Sequence, residues 1–142
     1  MKIVLDTSVI VEIDRRNNDT ISLIKKLAAD NTLIVSTITV SEILAGSYLR
    51  RDFEKASIAA KQILGQFLWV DFDGAIAEKT GQYIAYLIAE GKIIEYPDTA
   101  IAATFKVSDA DYILTLNKPH FENLPDLKGK VFTPKEFAKR VK

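Results

Sequence analysis

The chain has 142 residues, of which 48% are hydrophobic and 27% charged, and this composition suits a folded domain with a sizeable core. Its 19 basic and 19 acidic residues cancel, so any surface for nucleic acid must be a local patch. The absence of cysteine excludes disulfides, thiolate zinc sites and cysteine nucleophiles. No signal peptide and no apolar run of about 20 residues is visible, so we expect a cytoplasmic protein without a membrane segment.

Short apolar segments alternate with longer amphipathic segments along the chain. Apolar runs predict five strands, of which the first two are buried and the last is an edge strand: residues 2–5, 33–35, 67–72, 112–115 and 130–132. Helical spacing predicts helices over residues 8–14, 20–29, 37–49, 52–66, 73–90 and 98–106, and a last helix that opens at Thr133-Pro134-Lys135-Glu136. The predicted caps are Thr7 or Ser8 for the first helix, Asp52 for the fourth, Gly91 at the end of the fifth, and a capping box of Thr133 and Glu136 for the last. This alternation indicates a single domain over residues 1–142, a three-layer α/β/α sandwich with a mainly parallel sheet of four to five strands.

Three acids lie where such a fold can bring them together. Asp6 ends the first strand, Glu42 lies amid apolar residues in the helix after the second strand, and Asp98 is predicted to cap its helix. Each also has a structural interpretation: a cap or Asx turn for Asp6, a capping box with Thr39 for Glu42, and an ordinary N-cap for Asp98. Ligands bind beyond the carboxyl ends of parallel strands, so we expect the three carboxylates to converge there. An oxygen-rich pocket of this kind suits Mg²⁺ or Mn²⁺ and phosphodiester chemistry.

A fourth group of polar residues follows the fourth predicted strand. Thr115 ends that strand, and Asn117 and His120 follow in a turn. His120 is the only histidine of the chain, and it is either a structural residue or a contact to metal or phosphate.

The ordered set Asp6-Thr7-Ser8, Glu42, Asp98-Thr99-Ala100-Ile101-Ala102-Ala103 and Thr115-x-Asn117-x-x-His120-Phe121 resembles the PIN domain, the ribonuclease fold of VapC-type toxins. The resemblance covers essentially the whole chain and rests on the order of the motifs, since none is specific alone. It implies that Asp6, Glu42 and Asp98 are the catalytic, metal-binding acids.

The same resemblance implies a fourth corner or phosphate contact built from Ser8, Thr115, Asn117 and His120. His120 stands where the family often has its last aspartate, and this removes one negative charge from the pocket.

The implied function is that of a metal-dependent endoribonuclease, the toxin of a toxin–antitoxin pair, which cleaves RNA by a water activated by Mg²⁺ or Mn²⁺. The implied partners are an RNA substrate, a cognate antitoxin and a second copy of the chain. Arg15, Arg16 and Lys118 are the first candidates to bind RNA, because they are predicted on loops near the strand ends.

Two other functions compete with this one. Replacement of an acid by His120 is compatible with a catalytically weak PIN-like module that binds RNA or protein. The second is a phosphoacceptor domain, suggested by Asp71 and Asp73 after a strand. Such a site requires adjacent acids after the first strand, and here only Asp6 follows that strand.

Overall fold

The computed structural model describes residues 1–141, and the helices and strands of this part form a layered α/β fold. The strands are Lys2–Leu5 (β1), Thr32–Ser36 (β2), Leu68–Val70 (β3), Tyr112–Leu114 (β4) and Val131–Phe132 (β5). The helices are Thr7–Asp14 (α1), Asn18–Ala28 (α2), Thr37–Tyr48 (α3), Phe53–Leu64 (α4), Gly74–Ala89 (α5), Tyr96–Val107 (α6), Lys118–Glu122 (α7) and Pro134–Arg140 (α8). A short 3-10 turn spans Pro125–Leu127.

The five strands form one sheet in the order β3-β2-β1-β4-β5, and every neighbouring pair is parallel. The predicted α/β fold is thus confirmed, and its sheet is wholly parallel. All strands therefore end at one side of the sheet, which we term the carboxyl edge. β3 is shorter than predicted, because the amide of Phe72 already donates to the Thr37 hydroxyl rather than continuing the ladder.

Side chains of the central strands alternate between two hydrophobic layers. Ile3 and Leu5 face the layer that contains α1, α2, α4 and α8, whereas Val4 faces the layer that contains α5, α6 and α7. In α6, residues 99–105 are all buried, as expected for a helix at the centre of its layer. Asp98 directly precedes this buried stretch and so lies at the margin of the core.

Several predicted helix ends are confirmed. Thr133 and Glu136 form a reciprocal capping box at the start of α8. Gly91 follows the end of α5 with a φ of 64°, a conformation that glycine adopts without strain.

Three predicted caps are wrong. α6 begins at Tyr96, so Asp98 lies in its first turn and is not the N-cap, because Pro97 is itself favoured at a first helical position. The residue that precedes α1 is Asp6, not Thr7 or Ser8. Asp52 precedes α4, but its carboxylate pairs with Arg50 instead of capping the helix.

Among residues 1–141, no helix combines the length and the apolar character that a membrane span requires.

Candidate active site

Asp6 is the buried centre of the carboxyl edge. It lies between the end of β1 and the start of α1, and only 1% of its surface is exposed. The hydroxyls of Ser8 and Thr115 donate to its Oδ2 atom over 2.7 and 2.8 Å. Asp6 and Thr115 are 109 positions apart in the sequence, and the β1–β4 pairing brings them together.

Two backbone amides fix the direction of these hydroxyl groups. The amide of Leu116 donates to Ser8 Oγ over 3.0 Å, and the amide of Asn117 donates to Thr115 Oγ1 over 2.9 Å. A hydroxyl has one proton, and in both residues it is directed to Asp6. Ser8 and Thr115 thus hold the carboxylate in a set orientation.

The second carboxylate oxygen of Asp6 has no partner. Among the buried side-chain nitrogen and oxygen atoms of residues 1–141, only Asp6 Oδ1 lacks a hydrogen bond. An unsatisfied buried polar group costs about 1–3 kcal/mol, and more when it is charged. A bound cation is one way to satisfy such an oxygen.

Glu42 lies on α3 and is exposed, so the expected apolar surroundings of this acid are wrong. The Thr7 hydroxyl donates to Glu42 Oε1 over 2.7 Å and lies 3.0 Å from the hydroxyl of Thr39. Thr39 was predicted only as part of a capping box, although its spacing of three residues from Glu42 puts both residues on one helix face. Thr7 directly follows Asp6, and it therefore links Glu42 to the centre of the site.

Asp98 approaches from the other side, in the first turn of α6. Its Oδ2 atom lies 2.6 Å from Nδ1 of His120. Burial raises the pKa of the Asp98 carboxyl above its usual value, and the nearby charges of Asp6 and Glu42 raise it further, while the His120 contact opposes the shift. This mutual repulsion means that the three acids share one electrostatic environment at the carboxyl edge.

The carboxylates are not arranged as a finished metal site. Within residues 1–141, no group of three or more acidic or histidine side chains is placed to hold a metal ion. Glu42 accepts instead from Thr7, and Asp98 is paired with His120. The donor chemistry nevertheless fits Mg²⁺ or Mn²⁺, because it consists of carboxylate oxygens and includes the unpartnered, buried Oδ1 of Asp6.

A groove of about 520 Å³ leads away from Thr7 and Glu42 between α1, α3 and α4. Its lining includes the cationic side chains of Arg15, Arg50 and Lys55 and the acids Asp14, Glu42 and Asp52. Arg50 pairs with Asp52 over 3.0 Å, whereas Arg15 and Lys55 form no ion pair within the described part of the chain. We term this the basic groove.

The other two predicted RNA-binding residues lie elsewhere. Arg16 lines a separate cavity with Lys25, between α2 and α4. Lys118 forms ion pairs with Glu122 (3.3 Å) and Glu136 (3.1 Å). The ammonium of Lys118 is therefore engaged within the fold.

The acids of the phosphoacceptor alternative do not lie at this centre. β3 is at the end of the sheet and is separated from β1 by β2. Asp73 accepts a hydrogen bond from the amide of Ile76 and caps α5. The geometry does not support a phosphoacceptor site there.

The fold and the acids at its carboxyl edge define an α/β domain of the class that places its site where parallel strands end. The sequence profile of the PIN domain matches residues 3–127. The chain therefore belongs to the PIN domain family, as its motifs predict. It has no significant match among curated proteins.

Solved structures with the same fold include several complexes. VapBC2 from Rickettsia felis, bound to a promoter DNA fragment, has a TM-score of 0.86 at 22% identity, with 94% of this chain and 98% of that chain covered. FitAcB from Neisseria gonorrhoeae has a TM-score of 0.77 at 30% identity, with 94% of this chain and 98% of that chain covered. VapC20 from Mycobacterium tuberculosis, described as a sarcin-ricin loop cleaving toxin, has a TM-score of 0.59 at 15% identity, over 78% and 86%.

Proposed function

We propose that this protein is a metal-dependent endoribonuclease of the VapC type and the toxin of a toxin–antitoxin pair in the cytoplasm. The observation that carries the proposal is the unpartnered Oδ1 of buried Asp6, next to two further acids. A buried carboxylate oxygen is costly unless a cation or a donor satisfies it. Nucleases use such carboxylate groups to bind the divalent ions that assist phosphodiester hydrolysis.

Asp6, Glu42 and Asp98 are the residues that would hold Mg²⁺ or Mn²⁺. When bound, a divalent cation supplies Lewis acidity toward a phosphate oxygen and the attacking water. Ser8 and Thr115 hold the Asp6 carboxylate, and Thr7 holds that of Glu42. These contacts keep two acids from distant segments in place before substrate arrives. Burial, and then the charges of Asp6 and Glu42, raise the pKa of the Asp98 carboxyl, and a shared cation would offset the part that is due to these charges.

RNA is the proposed substrate because of the basic groove. The groove begins at Thr7 and Glu42, and its unpaired cations Arg15 and Lys55 can face the phosphates of a strand whose scissile bond lies at the acids. An unpaired strand fits such a path better than a duplex, because its backbone can follow a groove. The description of VapC20 as a sarcin-ricin loop cleaving toxin supports the same assignment.

An antitoxin and a second copy of the chain are the proposed protein partners. VapBC complexes are among the structures that share the fold. In this chain, large apolar side chains are exposed at the corner between α3 and α4, among them Tyr48, Leu49 and Phe53. Exposed apolar residues that cluster in this way are common at protein interfaces.

The first experiment is RNA cleavage by the purified protein and by Asp6→Asn, with Mg²⁺, with Mn²⁺ and with a chelator. We expect cleavage of a single-stranded RNA by the wild type only when metal is present. Asp6→Asn should lose at least about a hundredfold in rate, a typical loss when a positioned charge in a catalytic site is removed.

A second candidate function is a PIN-like binding module of weak activity, which the engagement of Asp98 by His120 favours. If the wild type binds RNA but does not cleave it with either metal, while its melting curve shows a folded protein, the endoribonuclease proposal fails and the binding module replaces it.

A further inference from the structure

We propose that His120 is a positioning residue that holds the Asp98 carboxylate through its Nδ1–H group, so that Nδ1 orients a cation ligand and is not a ligand itself. This inference rests on the proposed function, since Asp98 is one of the acids assigned to the cation. It gives the family's replaced acid position a defined role in this chain.

The contact itself has the geometry of a strong hydrogen bond. His120 Nδ1 and Asp98 Oδ2 are 2.6 Å apart, and the Asp98 side chain is only 16% exposed. A carboxylate that binds a cation is ionised and can only accept, so the proton between the two atoms belongs to the imidazole. Hydrogen bonds to an ionised acceptor are short and strong. Nδ1 is thereby occupied and is not available as a metal ligand.

The short helix α7, which carries His120, is anchored to the fold at two points. Phe121 is fully buried, and Lys118 pairs with Glu136 of α8. The imidazole is therefore presented from a fixed support, although 43% of the His120 side chain is exposed.

The same short segment also positions Asp6. Thr115 donates to Asp6, and five residues later His120 contacts Asp98. The backbone between them is tied by the bond from the Asn117 amide to the Thr115 hydroxyl. Residues 115–120 thus set the relative placement of two acids that come from β1 and α6.

A hydrogen-bond donor at position 120 stabilises the ionised Asp98 carboxylate, whereas an acid there would repel it. Asp98 shares this edge with Asp6 and Glu42, whose charges oppose its ionisation. An aspartate at position 120 would add a like charge, whereas the ring of His120 donates a hydrogen bond that keeps Asp98 in place. Partners that orient a metal-binding side chain typically contribute 10–100-fold to metal affinity, at order of magnitude.

The test is Mn²⁺ binding, measured by calorimetry on the full chain without RNA, for the wild type and for His120→Asn, His120→Gln and His120→Ala. Asparagine places its amide nitrogen as far from Cβ as Nδ1, whereas glutamine places it near the position of Nε2. We expect His120→Ala and His120→Gln to weaken Mn²⁺ binding by about 10–100-fold. His120→Asn should retain an affinity close to that of the wild type.

Asn123→Ala is the matched control, because Asn123 lines the same surface beside His120 and makes no contact with Asp98. It should bind Mn²⁺ like the wild type. Melting curves without metal establish that each variant is folded. Equal binding by His120→Ala, or recovery in glutamine but not in asparagine, would overturn the positioning role alone. Absence of Mn²⁺ binding by the wild type would overturn the proposed metal site and this inference with it.

Discussion

At the scale of single residues, the site is organised by the direction of a few hydroxyl protons. Backbone amides donate to the hydroxyl oxygens of Ser8 and Thr115, and each hydroxyl donates its one proton to Asp6. Both donors act on Oδ2, and Oδ1 remains without a partner. The backbone geometry after β1 and β4 therefore determines which carboxylate oxygen of Asp6 is hydrogen-bonded and which is left without a partner.

The substitution Thr115→Val tests the contribution of the hydrogen bond to Asp6 Oδ2. Valine has nearly the shape of threonine but leaves a buried acceptor on Asp6 with one donor fewer, and it removes the acceptor of the Asn117 amide. We expect a loss of about 1–3 kcal/mol in the free energy of unfolding, measured by urea denaturation at neutral pH.

Thr104→Val is the matched control for that variant. Thr104 is equally buried, but its hydroxyl donates to Ala100 O, a carbonyl inside α6 that the helix itself already satisfies. This substitution should cost less than about 1 kcal/mol. Equal losses of unfolding free energy in the two variants would show that the hydrogen bond to Asp6 stabilises the fold no more than the bond to Ala100 does.

The three acids themselves were predictable from sequence, but their partners were not. Asp6, Glu42 and Asp98 each stand beside a recognisable element boundary or helix. Thr7, Thr115 and His120 contact them across 22 to 109 positions of sequence, and only the assembled sheet edge brings those segments together. The exposure of Glu42 was missed because apolar neighbours in sequence lie on other faces of α3.

At the scale of elements, α8 and α7 are coupled through charge. Glu136 accepts from the Thr133 amide in the capping box of α8, and it also pairs with Lys118 at the start of α7. The Thr133 amide and then the Lys118 ammonium lower the pKa of the Glu136 carboxyl below its usual value. Glu136 thus supports both the last helix and α7, the short helix that carries His120 where the sequence predicted a turn.

This coupling predicts a pH-dependent cost for Glu136→Gln. A carboxyl whose pKa is lower in the folded state stabilises the protein above its unfolded pKa, and this contribution is lost as pH falls through the folded pKa. We expect Glu136→Gln to lower the free energy of unfolding by up to about 1 kcal/mol at pH 7, a small value because the group is exposed. In urea melts, the gap to wild type should close in the acid range below the usual glutamate pKa.

Glu122→Gln provides the comparison, since Glu122 also pairs with Lys118 but caps no helix. It should be close to neutral at all pH values. A gap for Glu136→Gln that stays constant with pH would mean that its charge plays no part.

Some boundaries of helices and strands could be predicted from adjacent residues alone, and others could not. The capping box at Thr133 and the glycine after α5 are encoded by adjacent residues, and both were predicted. The start of α6 was misplaced because Tyr96-Pro97-Asp98 contains two helix-start signals, and the proline at the first turn prevailed over the aspartate. The end of β3 depends on the Thr37 hydroxyl, a distant partner that no local pattern reveals.

At the scale of the whole molecule, a net charge of zero requires that attraction to RNA be local. Under the proposed function, the basic groove is the surface that would supply it next to the acids. The sheet order explains why the groove and the acids meet, because α1 and α3 both start at the carboxyl edge, directly after β1 and β2. The alternation of strands and helices predicted this layering, whereas the groove depends on packing between helices.

Charge reversal in the groove should weaken RNA binding. We expect Arg15→Glu and Lys55→Glu, each made in an Asp6→Asn background to prevent cleavage, to lower the affinity for single-stranded RNA. Each lost phosphate contact should reduce the slope of log affinity against log salt by about 0.7. Fluorescence anisotropy at several salt concentrations measures both quantities.

Lys128→Glu changes the net charge equally but lies outside the groove, and it should bind RNA like its parent. If all three reversals weaken binding to the same extent, the attraction is not local and the groove is not the RNA path.

The central claim is that the buried, unpartnered Oδ1 of Asp6 is a ligand for a divalent cation. The most direct measurement is anomalous scattering from crystals of the wild-type protein that have been soaked in Mn²⁺. We predict an anomalous peak within coordination distance of Asp6 Oδ1, with Glu42 or Asp98 completing the site. A map with no peak beside Asp6, or with Mn²⁺ bound only elsewhere on the protein, would contradict the claim.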